Sequence, residues 1–182
     1  MSGDFTETKK RSKLVYSGGL LKVREDEVRL PDGNVARREY IVHPGAALIL
    51  PVFDDDSVLL ERQYRYPVGQ HCYELPAGKL EPGEPSLDTA KRELLEETGY
   101  VARQWTTVCT IMPCIGYSTE HIECFLARDL SFRGASLDEG EFLETLRLPL
   151  REALKWVQVG KIRDSKTMIG LLWLDRIVNG NW

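Results

Sequence analysis

Apolar and polar side chains alternate in several short runs of the first sixty residues, which predicts β-strands. The N-terminal runs are 14–19, 21–30 and 35–43. Turn-forming residues at 31–34 separate the last two, so we expect an antiparallel N-terminal meander. The next run, 45–53, is almost continuously apolar and predicts a central, buried strand. An alternating strand over 57–64 follows three aspartates, a hairpin signal.

Helical spacing appears later in the chain. Over 86–98, apolar residues recur every three to four positions, with Ser86 as a candidate N-cap and Gly99 as a C-terminal stop. The remaining predicted elements are strands over 72–80, 101–112, 121–130 and 141–148 and helices over 150–159 and 164–178, the last capped by Asp164. Strands interrupted by one central and two late helices predict an α+β fold rather than alternating βαβ units.

Composition and charge narrow the class of protein. The 182 residues are 42% hydrophobic and 29% charged, as in ordinary folded domains, and 24 Lys and Arg against 28 Asp and Glu give a formal net charge of −4. This balance provides no basic field for nucleic acid or anionic lipid. No apolar run is long enough to span a membrane, and the polar N-terminus has no apolar signal segment. Four cysteines without a C-x-x-C pair indicate reduced thiols.

We therefore expect a cytoplasmic protein that binds neither nucleic acid nor membrane. Its predicted organisation is a flexible arm over 1–13, a meander over 14–44 and a larger domain over 45–182.

Acidic side chains crowd the predicted helix at 86–98 and the turn before it. They are Glu81, Glu84, Asp88, Glu93, Glu96 and Glu97. At about 100° per residue, the last three share one face within one turn, where like charges repel by roughly 0.2–0.5 kcal/mol per exposed pair. A solvated helix surface is one interpretation. The other is a Mg²⁺ or Mn²⁺ site, because a divalent cation would turn the repulsion into coordination.

A longer pattern surrounds this cluster and favours the second interpretation. It reads Gly78-(five residues)-Glu84-(seven residues)-Arg92-Glu93-Leu94-Leu95-Glu96-Glu97-Thr98-Gly99-Tyr100. This segment, which we call the box, resembles the signature of the Nudix hydrolases at every specified position. The resemblance implies a mixed β-sheet sandwiched between helices. It also implies Mg²⁺- or Mn²⁺-dependent hydrolysis of a nucleoside diphosphate linked to another group.

The resemblance also implies roles for individual residues. The expected metal ligands are Glu93, Glu97, the carbonyl group of Ala77, and Glu96 as a ligand or a neighbour of the ligands. The expected structural residues of the motif are Gly78, Glu84, Arg92 and Gly99. A general base is expected in the acidic loop, at Glu139 or at the slightly favoured Glu141, because carboxylates that hold a metal ion are poor proton acceptors. Glu96 is the alternative base.

Segments outside the box resemble the ADP-ribose and nucleoside-diphosphate-sugar pyrophosphatases. They are Arg37-Arg38-Glu39, Gln63-Tyr64-Arg65, Pro76-Ala77-Gly78 and Pro113. Substrate contacts are implied for Arg37, Arg65 and Glu39, and Tyr16 is a candidate for stacking on the base. Exposed strand charges and ordinary packing are the alternative interpretations. The histidines at 43, 71 and 121 lack metal-ligand spacing and are expected to be structural or surface residues.

The expected function is Mg²⁺-dependent hydrolysis of ADP-ribose or a nucleoside diphosphate sugar to a nucleoside monophosphate and a sugar phosphate. Two alternatives stay open. One is a Nudix hydrolase of a nucleoside triphosphate, dinucleoside polyphosphate or coenzyme A; the other is a non-catalytic Nudix-fold ADP-ribose sensor. The intact box favours an enzyme. A homodimer is also expected, because long edge strands such as those of the meander are normally covered or paired.

Overall fold

The computed structural model describes residues 3–137, 140 and 142–180. Its elements in chain order are β1 (Thr8–Ser17), β2 (Lys22–Arg29), β3 (Val35–Val42), β4 (Ala46–Pro51), β5 (Ser57–Arg65), a short 3₁₀ turn (Tyr66–Val68), β6 (Gln70–Glu74), β7 (Ala77–Lys79), α1 (Ser86–Thr98), β8 (Tyr100–Ile111), β9 (Ile122–Phe132), β10 (Leu143–Pro149), α2 (Leu150–Gln158) and α3 (Ser165–Val178). The strands form three sheets, ordered β1-β2-β3, β10-β5-β6 and β7-β4-β9-β8.

The central sheet is mixed and lies between helices, which confirms the predicted fold. Strands β4 and β9 are parallel, whereas β4 pairs with β7, and β8 with β9, in antiparallel fashion. Ala47 and Ile49 of β4 pack with α1, and Leu48 and Leu50 join the core that includes α3. Since side chains alternate across a strand, both faces of β4 are covered. This explains its continuously apolar sequence.

The predicted hairpin across the three aspartates forms at its turn but does not extend into a shared sheet. The Phe53 N–H donates to the Ser57 carbonyl oxygen at 2.9 Å and an antiparallel bridge joins Val52 to Val58, but β4 and β5 belong to different sheets. The reason is that β7 and β9 already occupy the two edges of β4. The chain therefore turns into a second sheet, in which β5 pairs with β10 and β6.

The predicted N-terminal meander is present, but it begins earlier than expected. Residues 8–13, assigned to a flexible arm, form the first part of β1, which pairs with β2 from Thr8 to Ser17. The segment is polar and exposed, so alternation of apolar residues could not indicate a strand there. The meander contacts the rest of the chain at Ile41, whose N–H donates to the carbonyl oxygen of Tyr117 at 2.8 Å.

Helix ends follow the sequence signals with one exception. Gly99 ends α1 with φ of 74°, a left-handed conformation that suits glycine, and the Asp164 side chain accepts from the N–H of Thr167 at the start of α3. Ser86 is not the N-cap of α1: Pro85 holds that position, and the Ser86 hydroxyl donates to Glu123 at 2.7 Å. Within the described part of the chain, no helix has the length and apolar character needed to span a membrane.

Candidate active site

A cleft of about 770 Å³ opens beside the central sheet, where β4 and β7 meet α1. The parts of the chain that converge on it include the box, the end of β5, the start of α3, the loop after β8, the segment that leads into β4 and the turn between β1 and β2. The lining residues discussed below are His43, Arg65, Ala77, Gly78, Glu93, Glu97, Glu120, Gly140, Asp164 and Lys166.

Arg92 connects three carboxylates of the box. Its Nε and Nη2 atoms each donate to Glu84 at 3.1 Å, and its Nη1 atom donates to Glu93 at 2.9 Å and to Glu96 at 3.0 Å. Hydrogen bonds from Arg92 and from the hydroxyl of Thr89 lower the pKa of Glu84 to about 2, and the same carboxylates raise the pKa of Arg92. One guanidinium thus offsets part of the negative charge of these three carboxylates, which reduces the repulsion within α1.

Backbone and carboxylates approach closely where β7 passes α1. The buried Glu97 carboxylate accepts a hydrogen bond from the Ala77 N–H at 3.2 Å. A Cβ atom added at Gly78 would lie 1.8 Å from Oε1 of Glu93. The φ angle of Gly78 is not positive, so the glycine is required for space rather than for an unusual backbone conformation.

The donors at this point suit a hard divalent cation. Glu93, Glu97 and Ala77 line the same cleft and offer carboxylate and carbonyl oxygens, and Mg²⁺ commonly binds through only one or two carboxylates together with water and substrate phosphate. Among the residues that the structure describes, no group of three or more His, Cys, Asp or Glu side chains is arranged to hold a metal. Glu93 and Glu96 instead bond to Arg92.

Arg65 belongs to an ion-pair cluster that also contains Glu74, Asp164 and Lys166. Arg65 donates from Nε and Nη2 to the two oxygens of Glu74 at 2.6 and 2.9 Å. Lys166 donates to Glu74 and, at 3.0 Å, to Asp164. Burial raises the pKa of Glu74, but the hydrogen bonds from Arg65 and the charge of Lys166 outweigh it and hold the pKa at about 2. Glu74 and Lys166 were not among the residues predicted from the sequence. Their only signal was position, close before Pro76 and close after the capping Asp164.

Three predicted substrate contacts lie outside the cleft of their own chain. The Arg37 side chain is 77% exposed and contacts Glu25 at 3.5 Å, and Glu39 and Tyr16 are also exposed on the meander. The turn between β1 and β2 reaches the cleft through Leu20, but none of these three residues is among the residues that line it.

Gly140, in the acidic loop, and His43 also lie at the cleft. Glu139 and Glu141, the predicted bases, lie outside the described residues, while Gly140 lines the cleft. His43, expected to be structural or a surface residue, also lines the cleft. Its Nδ1 accepts from the Gly45 N–H at 3.1 Å, so Nε2, 4.0 Å from Glu120, is the other hydrogen-bonding position.

Comparisons with known proteins agree with this architecture. Residues 42–168 match the NUDIX domain, and residues 7–41 match the nucleoside diphosphate sugar hydrolase N-terminal domain. The chain is 38% identical over 162 residues to an ADP-ribose pyrophosphatase of Bacillus subtilis (strain 168), covering 88% of each protein. It is 37% identical over 172 residues to a methanol dehydrogenase activator of Bacillus methanolicus, covering 93% of each. A crystal structure of an ADP compounds hydrolase superposes with a TM-score of 0.87 at 23% identity over 98% of both chains. The chain belongs to the Nudix family.

Proposed function

We propose that this protein is a Mg²⁺-dependent pyrophosphohydrolase of ADP-ribose or a nucleoside diphosphate sugar. It releases a nucleoside monophosphate and a sugar phosphate through attack of water on phosphorus. The observation that carries the proposal is the cleft in which Glu93 and Glu97 of an intact box face the same space as Arg65. The similarity to an ADP-ribose pyrophosphatase and to the N-terminal domain of nucleoside diphosphate sugar hydrolases supports this substrate class.

The residue types fit the chemistry of a charged pyrophosphate. Nudix hydrolases generally use divalent metals, and a bound cation neutralises phosphate charge and activates water. Glu93, Glu97 and the Ala77 carbonyl would hold it, with Glu96 as a further ligand or their neighbour. Arg65 would bind a phosphate oxygen, a role that suits a planar guanidinium.

The general base of this proposal is Glu139 or Glu141. A carboxylate that does not hold the metal ion keeps its lone pairs for a proton, which the box glutamates do not. Support comes from Gly140, which lies between the two in sequence and lines the cleft.

A homodimer would bring the meander to the reaction site of a second copy. Arg37, Glu39 and Tyr16 lie outside the cleft of their own chain, and apolar side chains such as Leu14 and Leu21 are exposed on the meander. A dimer in which these strands cross to the other subunit would cover those side chains and supply the three substrate contacts. Sedimentation of a fully active monomer at micromolar concentration would exclude this arrangement.

The proposed activity is tested by assaying ADP-ribose and a panel of nucleotide sugars with Mg²⁺ and with a chelator. We expect Mg²⁺-dependent release of a nucleoside monophosphate and a sugar phosphate. Preferential cleavage of nucleoside triphosphates, dinucleoside polyphosphates or coenzyme A would show that the protein acts on another class of Nudix substrate.

A second candidate is a sensor that binds ADP-ribose and regulates another protein. It is favoured by one observation, the relative named as a methanol dehydrogenase activator. Binding of ADP-ribose without turnover, in the presence of Mg²⁺, would support the sensor over the enzyme.

A further inference from the structure

The ion-pair cluster of Arg65, Glu74, Asp164 and Lys166 joins two distant parts of the chain beside the cleft. Glu74 is its centre: the side chain is 6% exposed and accepts from both Arg65 and Lys166. Lys166 is 16% exposed and lies between Glu74 and Asp164. Two positive and two negative groups therefore compensate one another around the buried Glu74 carboxylate, while Arg65 stays 44% exposed at the edge of the cleft. A buried charge without a partner is strongly unfavourable.

The start of α3 holds the strand that carries Glu74 at two points. Lys166 binds the Glu74 side chain, and the hydroxyl of Thr167 accepts from the N–H of the next residue, Leu75, at 2.9 Å. Thr167 is fully buried and bonds in turn to Asp164, the N-cap of α3. These contacts fix where the Glu74 carboxylate lies relative to the cleft.

Glu74 in turn fixes the orientation of Arg65. With Nε and Nη2 bonded to the carboxylate, Nη1 is the remaining guanidinium nitrogen, and it has no hydrogen bond within the described part of the chain. Arg65 lines the cleft together with Glu97. A guanidinium that is already held in one orientation can bind a phosphate with little further loss of side-chain entropy.

We propose that Lys166 is a positioning residue, which keeps Glu74 in its two-point contact with Arg65 and so directs Arg65 toward a phosphate group in the cleft. This inference rests on the proposed function for the identity of the substrate. Lys166 acts through Glu74 and Arg65 and does not itself bind the phosphate.

A double-mutant cycle separates this indirect action from a direct contact. The variants are Lys166→Met, which keeps the apolar stem, Arg65→Ala, and the double variant, assayed for kcat and KM with ADP-ribose at saturating Mg²⁺. We expect Lys166→Met to lower kcat/KM about 10- to 100-fold, as misplaced catalytic-site groups commonly do. The double variant should be no worse than Arg65→Ala alone, and Lys166→Arg should recover most of the loss. Losses that multiply in the double variant, or a normal kcat/KM in Lys166→Met, would overturn the proposal.

Binding of inorganic pyrophosphate, measured by calorimetry, tests the inference independently of turnover. Lys166→Met should weaken binding by about the same factor as Arg65→Ala, at a temperature where thermal melts show both variants folded. Lys161→Met is the matched control, because Lys161 stacks over Trp156 and is not among the residues lining the cleft. Unchanged binding in folded Lys166→Met would refute the role of Lys166. A wild-type protein that binds pyrophosphate but hydrolyses no nucleotide sugar would refute the proposed function instead.

Discussion

Replacing Gly78 with alanine tests the candidate metal site with a single methyl group. The added Cβ would lie 1.8 Å from Oε1, 1.9 Å from Cδ and 2.3 Å from Cγ of Glu93, whereas ordinary contacts begin at 3.4 Å. The Glu93 carboxylate must therefore move by about 1.6 Å. Metal–oxygen distances in Mg²⁺ sites are about 2.0–2.1 Å. A shift of this size would therefore prevent Glu93 from binding the same metal ion as Glu97.

The same substitution should change the stability of the fold very little. Gly78 lies in a strand and its φ is not positive, so alanine can adopt the same backbone conformation. Alanine restricts the unfolded chain more than glycine does, which raises the free energy of unfolding by about 0.4–1 kcal/mol. Displacing Glu93 breaks its 2.9 Å bond to Arg92, which costs about 1 kcal/mol for a partly exposed ion pair. The two effects nearly cancel, so Tm should stay within about 4 °C of the wild-type value.

The assay is hydrolysis of ADP-ribose over a Mg²⁺ titration, with thermal melts of each variant. We expect Gly78→Ala to lose at least about 10²-fold in kcat/KM, the usual result of a 1 Å misplacement. Gly19→Ala is the matched control, because a Cβ at Gly19 meets nothing within 4 Å. Wild-type kinetics and Mg²⁺ dependence in Gly78→Ala would show that Glu93 is not a metal ligand. A large fall in Tm would show that the stability reasoning is wrong.

Three more predictions follow from the same cleft. Glu97→Gln should abolish Mg²⁺-dependent activity and leave the fold intact; full hydrolysis at saturating Mg²⁺ would remove Glu97 from the metal assignment. Glutamine at the true base, Glu139 or Glu141, should lower kcat roughly 10²–10⁴-fold with little change in KM; near-normal kcat in both variants, with loss in Glu96→Gln, would assign the base to the box. The pKa of Glu74 is held at about 2, below its ordinary value of 4.5, so this carboxylate stabilises the fold above about pH 4.5 and loses that contribution as the pH falls toward 2. Unfolding measurements from pH 6 to 3 should show a smaller loss of stability with acid in Glu74→Gln than in the wild type, and equal slopes would contradict the assigned partners.

The sequence alone determined the features that depend on neighbouring residues. Helix α1, its end at Gly99 and the apolar strand β4 follow from periodicity and local conformational preference, and the box identified the family because its residues lie within a short segment. The need for glycine at position 78 was visible only as part of a motif. The structure supplies its physical reason, the Glu93 carboxylate against the backbone of β7.

Only the tertiary structure decided which distant groups meet. Lys166 and Glu74 are 92 residues apart, and no periodicity indicates that the start of α3 reaches the end of β6. Strand β4 does not share a sheet with β5, because other strands pair with its edges. The polar residues 8–13 form a strand because they pair with the edge of β2. Such choices depend on which edges and charges remain without partners once the chain is folded, a property of the whole molecule that no local segment of the sequence contains.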